Sequence, residues 1–199
     1  RNDAWIDAAM DLGSEAVSQA LARAGLSPSD VDHLFFVTVT GLSTPSLDAR
    51  LVNRLGLRTD VKRTPIFGLG CVAGAAGLAR ASDYLRAFPD QVAVLLSVEL
   101  CSLTLQREDL SIANVISSGL FGDGAAAVVL EGATHWRSSS AADVLHPAGR
   151  APRVVATRSV FYPETERIMG WDFVDGGFKI VLSAKVPSLV EARVGGDVD

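Results

Sequence analysis

The sequence predicts an α/β fold, a sheet whose strands are joined by right-handed helical crossovers. Two runs, Leu34-Phe35-Phe36-Val37-Thr38-Val39 and Val92-Ala93-Val94-Leu95-Leu96-Ser97-Val98, are continuously apolar and rich in β-branched residues, as strands buried on both faces are. Segments of helical period precede and separate them, and such alternation marks strands paired through crossover helices. The stretch Pro65 to Gly77 is the third sign: a strand end, Ile66-Phe67, runs into a Gly-flanked turn, and a helix built first from Gly and Ala follows at once.

From Asp3 to Ala24 the apolar positions Trp5, Ile6, Ala9, Leu12, Val17 and Leu21 keep helical spacing, and Gly25 stops them, so an amphipathic helix packs on the sheet. The turn Ser27-Pro28-Ser29-Asp30 leads into the first strand, and His33 at its mouth reads as a solvated strand start. Gly41 to Ser46 is a loop ending in a capping residue and a Pro, so Leu47 to Leu55 forms a short helix that Gly56 closes. Thr64 to Gly68 is the next strand. In the helix begun by Cys71, Leu78, Ala81, Leu85 and Phe88 make the apolar face while Arg80, Asp83 and Arg86 face out.

After Val92 to Val98, a helix is expected through Leu110 to Ser117, a turn at Phe121-Gly122-Asp123-Gly124 and a strand over Ala125 to Leu130. Glu131 to Arg153 reads as a surface excursion in which His135 and His146 are solvated. Val154 to Tyr162 and Phe178 to Leu182 read as strands, and Pro187 to Val194 as the start of a helix.

The bulk numbers exclude several classes. With 199 residues, 48% hydrophobic and 21% charged, and a mean hydropathy of +0.27, the chain is globular with ample core. A net charge of -5, a pI near 5.2 and no Lys/Arg cluster give nucleic acid no electrostatic footing. No apolar run approaches the roughly 20 residues that span a bilayer, and the first residues are polar, so no membrane segment or signal peptide is expected and the chain is placed in the cytoplasm. Cys71 and Cys101 are too few for a disulfide framework, and His33, His135 and His146 are too scattered for a metal site. The start at Arg1 without Met, and the polar end Gly195 to Asp199, suggest a piece of something longer.

Cys71 carries the candidate chemistry. At a helix N-terminus, unpaired N–H groups and the positive end of the helix dipole stabilise an anion, and a thiolate so placed is a nucleophile for an acyl group. Two other readings stand beside this one. Free Cys commonly behaves as a small buried hydrophobe. Strand, glycine turn and helix also resemble a dinucleotide-binding loop, with Glu99 ending the next apolar run, although Gly68, Gly70 and Gly74 space as Gly-x-Gly-x-x-x-Gly and not as Gly-x-Gly-x-x-Gly.

Several motifs taken together resemble the bacterial type III polyketide synthases, chalcone synthase-like condensing enzymes of the thiolase superfamily. They are Phe67-Gly68-Leu69-Gly70-Cys71-Val72-Ala73-Gly74-Ala75-Ala76-Gly77, Ser97-Val98-Glu99-Leu100-Cys101-Ser102-Leu103-Thr104 and Gly119-Leu120-Phe121-Gly122-Asp123-Gly124-Ala125-Ala126-Ala127, extended by Met169-Gly170-Trp171-Asp172 and Gly177-Phe178 to Pro187. The resemblance implies a thiolase-like fold of layered helices and sheets, αβαβα, incomplete in this chain. Residues 1–130 would then be most of the N-terminal thiolase-like half, and 131–199 a connecting loop and the start of the C-terminal half.

It also implies roles. Cys71 matches the nucleophile that carries the starter and growing chain as a thioester, Phe121 the gatekeeper between the CoA tunnel and the cavity, and Phe178 resembles a second gatekeeper. Cys101 and Thr104 fall on cavity-shaping positions, and Thr44 resembles the residue one subunit of a homodimer lends to its partner. Acyl-CoA and malonyl-CoA are the implied partners, as substrates; no cofactor or metal is implied. The expected reaction is decarboxylative Claisen condensation followed by cyclisation, with an alkylpyrone or alkylresorcinol-type product. The family's catalytic His and Asn, and its basic N-terminal region, have no match here; none of the three histidines sits in a matching context. A ketoacyl synthase III-like condensing enzyme, a catalytically incomplete chain that only associates with others, and an NAD-binding protein are the alternatives.

Overall fold

The computed structural model describes residues 2–135 and 152–198; His146 and most of the expected surface excursion lie outside them. The chain forms two compact units, Arg1–Glu99 with Gly124–Thr157, and Leu100–Asp123 with Arg158–Asp199.

The first unit is built on a four-stranded sheet of order β2-β1-β3-β4, with β1 His33–Thr38, β2 Lys62–Phe67, β3 Val92–Leu100 and β4 Asp123–Glu131. β1 pairs in parallel with β2 on one side and β3 on the other, Phe35 facing Thr64 and Leu95 across the two registers. Every residue of β1 is buried, because helices cover both sheet faces as its unbroken apolar run requires. On one face lies α1 (Asn2–Ala24), whose Gly13 stands close to Leu96 and Val98. α2 (Leu47–Leu55), capped by Gly56 at φ 66°, packs beside it. On the other face α3 (Ala73–Ala87) buries Ala73, Ala81 and Leu85 against Phe35, Val37, Ala93 and Leu95.

Glycine at position 77 makes that approach possible: a Cβ there would stand 2.5 Å from Leu95 Cδ1. Ala73 is buried at the same contact, whereas Gly74 has open space beside it and Ala75 is exposed. Phe88, assigned to the apolar face, is instead 41% exposed, tilted on Tyr84, with Lys62 Nζ 3.9 Å from its ring centre.

His33 departs from expectation too. It is buried at 8% exposure, stacked on Phe35 with ring centres 4.0 Å apart, edged by Tyr84, and its Nε2 pairs with Thr64 Oγ1 at 2.8 Å. Its cover comes from β2 and α3, elements far along the sequence, which a local reading of a strand mouth does not supply. Burial, with Lys62 nearby, lowers its pKa to about 4. His135, also expected to be solvated, sits against Glu131, Nδ1 to Oε2 2.9 Å.

The second unit contains α4 (Ile112–Leu120), the antiparallel hairpin of β5 (Met169–Val174) and β6 (Gly177–Leu182), and α5 (Val186–Val198). α4 packs on β6. The strand expected at Val154 to Tyr162 does not form: the backbone there pairs with no strand and its side chains lie largely exposed. Among the described residues no helix is long and apolar enough to cross a membrane, and no group of three His, Cys, Asp or Glu side chains is placed to hold a metal ion.

Candidate active site

Cys71 belongs to the first unit. β2 ends at Phe67, and the chain turns through Gly68 at φ 90° and Gly70 at φ 61°, left-handed conformations that glycine alone adopts without strain. Cys71 then lies in a single 3₁₀ turn, Gly70–Val72, and α3 proper starts at Ala73. The cysteine therefore stands just ahead of the α-helix and does not open it, a common way for a helix to begin. The thiol is exposed, which removes the buried-hydrophobe reading. The first N–H groups of α3, which have no partner within the helix, follow directly after it in the chain.

Glu99, which a dinucleotide site would need at the ribose, is committed elsewhere. Its carboxylate takes the Val39 N–H at 3.0 and 3.1 Å, the Thr40 hydroxyl at 2.8 Å and the Thr38 hydroxyl at 3.4 Å. It ties the end of β3 to the end of β1, and burial raises its pKa above the usual carboxylate value against the opposing pull of those donors. Thr44, in the loop before α2, is exposed.

The second unit holds a cavity of about 340 Å³, and three of the residues singled out in the sequence meet there: Cys101, Thr104 and Phe121. Cys101 and Thr104 bracket a 3₁₀ turn directly after β3, and Phe121 caps the C-terminus of α4, its N–H on the Ser117 carbonyl at 3.0 Å. Phe178 on β6 is not in the wall. It meets Trp171 edge to face with centres 6.1 Å apart, and Trp171 lines the cavity. Gln106 Nε2 donates to the carbonyls of Gly176 and Phe178 at 3.0 and 3.1 Å, fixing the hairpin to the turn after β3.

Sequence reasoning missed Trp171, Asn114 and Ser117 as wall residues. Trp171 was visible as part of the Met-Gly-Trp-Asp motif without a role, whereas Asn114 and Ser117 look like ordinary polar residues of a helix until its packing is known. Asp123 also lines the cavity, and its carboxylate accepts the Ser102 N–H at 2.8 Å and the Ser102 hydroxyl at 2.5 Å.

A four-stranded sheet with helices on both faces, and a cysteine on a glycine turn just ahead of α3, match the thiolase-like fold of solved type III polyketide synthases. The crystal structure of 1,3,6,8-tetrahydroxynaphthalene synthase from Streptomyces coelicolor A3(2), a bacterial type III polyketide synthase, is similar with a TM-score of 0.85 and 31% identity, covering 98% of this chain and 52% of that one. The model of the N-terminal domain of chalcone and stilbene synthases matches residues 1–134, and the chain belongs to that family, the type III polyketide synthases. A 1,3,6,8-tetrahydroxynaphthalene synthase from Streptomyces peucetius subsp. caesius is 51% identical over 99% of this chain and 50% of its own length; a putative chalcone synthase from Bacillus subtilis (strain 168) is 41% identical over 96% and 52%. The chain thus spans about half the length of the curated relatives it matches.

Proposed function

We propose that this chain supplies the nucleophile and part of the substrate cavity of an acyltransferase that makes polyketides by decarboxylative Claisen condensation. The Cys71 thiolate attacks the carbonyl of an acyl-CoA, and the CoA thiolate leaves and takes up a proton. Malonyl-CoA loses carbon dioxide to give an enolate, whose carbon attacks the Cys71 thioester and releases the cysteine as the new carbon–carbon bond forms. Aromatic walls such as Phe121 favour conversion of a charged carboxylate to neutral carbon dioxide by excluding water.

The observation that carries this reading is the exposed sulfur on its two-glycine turn ahead of α3. Cys71→Ala should abolish acyl-enzyme labelling by a radiolabelled starter CoA, and undiminished labelling removes Cys71 from the role. A homodimer is part of the same proposal: among the described residues β2 stands at one end of the strand order, and sheet edges are common surfaces for association with a second copy. So is placement in the cytoplasm, where CoA thioesters are at hand.

For the product we infer a ring cyclised from a poly-β-keto chain. The relative of highest identity given above is named for a tetrahydroxynaphthalene, which supports a chain assembled from malonyl units. An alkylpyrone or alkylresorcinol needs a long acyl starter in addition, and the small Cys101 side chain is compatible with a tunnel for one. Incubation with malonyl-CoA alone separates the two: a polyphenol forms without starter in the first case, and nothing cyclises in the second.

A further inference from the structure

We infer that Gln106 is a positioning residue for the proposed condensation: its side-chain amide, seated against Gly176, holds the β5–β6 hairpin so that Trp171 stays in the cavity wall, and thereby fixes how many malonyl units a chain takes up before release. This rests on the reading of Cys101, Thr104 and Phe121 as cavity residues and goes beyond it, because Gln106 does not itself line the cavity. Its Nε2 stands 3.0 Å from the Gly176 carbonyl oxygen, 3.1 Å from that of Phe178 and 3.3 Å from that of Thr104. Carbonyls only accept, so the nitrogen has to face them; a turned-over amide would set its oxygen against three others. The other half of the amide has its own seat. A Cβ on residue 176 would stand 2.6 Å from Gln106 Oε1, so the glutamine occupies the space a side chain there would fill.

The same residue ties three parts of the wall together. Thr104, two positions back, lines the cavity from the turn after β3. The Gln106 main-chain carbonyl accepts the Asn114 amide at 2.8 Å, and Asn114 lines the cavity from α4. Phe178, whose backbone the side-chain amide holds, meets Trp171 edge to face, and Trp171 lines the cavity from β5. A second tie between this segment and the hairpin, Lys179 to Asp109, is longer at 3.7 Å, with the lysine 49% exposed, and pairs of that kind contribute little. α4 also packs on β6, so loss of the amide loosens the hairpin without unfolding it. A displacement of about 1 Å in a group that positions substrate is enough to change the outcome of a reaction.

The test is Gln106→Met, which keeps the length of the side chain and removes its N–H groups. Hydrogen exchange read by mass spectrometry should speed up by about tenfold or more in peptides covering 169–182, with peptides of α3 unchanged. With acetyl-, octanoyl- or malonyl-CoA as starter and isotope-labelled malonyl-CoA as extender, acylation of Cys71 should stay within about twofold of native while the count of malonyl units per product changes or spreads over several values. Gly176→Ala, whose methyl displaces Gln106 Oε1, should reproduce both effects, and it serves alone if Gln106→Met melts. Combining the two should add less than about twofold to either, since both act on one contact. Unchanged exchange, an unchanged product count, fully additive effects, or acylation that falls in step with condensation overturns the inference. A native protein whose Cys71 takes no acyl group from any of the three starters refutes the proposed reaction and the role with it; native acylation and condensation with an unaltered product in both variants refutes the role alone.

Discussion

A methyl group at position 77 tests how tightly the cysteine-bearing helix is seated. Its carbon would lie 2.5 Å from Leu95 Cδ1 and 3.1 Å from Cδ2, where carbon atoms need about 3.5 to 4.0 Å. Leu95 is 4% exposed and packed among Phe35, Ala81, Leu85 and Ala93, so either it leaves its place or α3 lifts. Overpacking of this kind costs roughly 1–3 kcal/mol, while Gly to Ala inside a helix returns about 1 kcal/mol. Gly77→Ala should therefore lose up to about 2 kcal/mol, and Gly77→Val, with more volume and a stiffer side chain, on the order of 3 kcal/mol. Urea unfolding followed by circular dichroism reads both. If Gly77→Ala instead gains about 1 kcal/mol, the propensity effect by itself, the helix does not approach the sheet as described and the seating of the Cys71 turn has to be reconsidered.

Other outcomes follow from particular side chains. Asp48 is fully buried and receives Arg63 Nη1 at 2.7 Å; Arg63→Met leaves that carboxylate unpaired and should cost about 3 kcal/mol in urea unfolding, most of it recovered by adding Asp48→Leu. His33, with a pKa near 4 folded against 6.5 for the free side chain, destabilises the fold on acidification. Below pH 6.5 the unfolded chain binds a proton that the folded chain refuses until about pH 4, so its contribution is whole above 6.5 and is lost as the pH falls. The stability difference between the native protein and His33→Gln should accordingly narrow by on the order of 1–2 kcal/mol between pH 7 and pH 4.5, and a constant difference would refute the burial of a neutral imidazole. Phe121→Ala should still fold but change malonyl-CoA decarboxylation and the product profile; an unchanged profile removes its gatekeeping role.

What could be read from the sequence was whatever is decided locally. β1 and β3 declare themselves by unbroken apolar runs, and α2 keeps its expected bounds, Leu47–Leu55, because a Ser before it and Gly56 after it fix both ends through backbone conformation. The turn before Cys71 was legible because Gly68 and Gly70 mark a conformation that few other residues tolerate, whereas the 3₁₀ turn that sets the cysteine ahead of the α-helix was not. The hairpin strand β5 was not, since Gly170 and Asp172 break the apolar pattern and its stability comes from pairing with β6. Val154 to Tyr162 alternates like a strand but has no partner, and alternation alone does not pair a backbone. His33 misled because its cover, Tyr84 and Thr64, arrives from distant elements. The cavity shows the same limit: Phe121, Cys101 and Thr104 were identified by resemblance, while Trp171, Asn114 and Ser117 became wall residues only when α4 and the hairpin were in place.

The proposed chemistry rests on where an acyl group lands. Intact-protein mass spectrometry after incubation with an acyl-CoA, followed by peptide mapping, should find one acyl adduct, on the peptide bearing Cys71, released by hydroxylamine and missing from Cys71→Ala. An adduct on Cys101, or the same yield of adduct from the Cys71→Ala protein, would contradict the assignment of the exposed sulfur as the nucleophile.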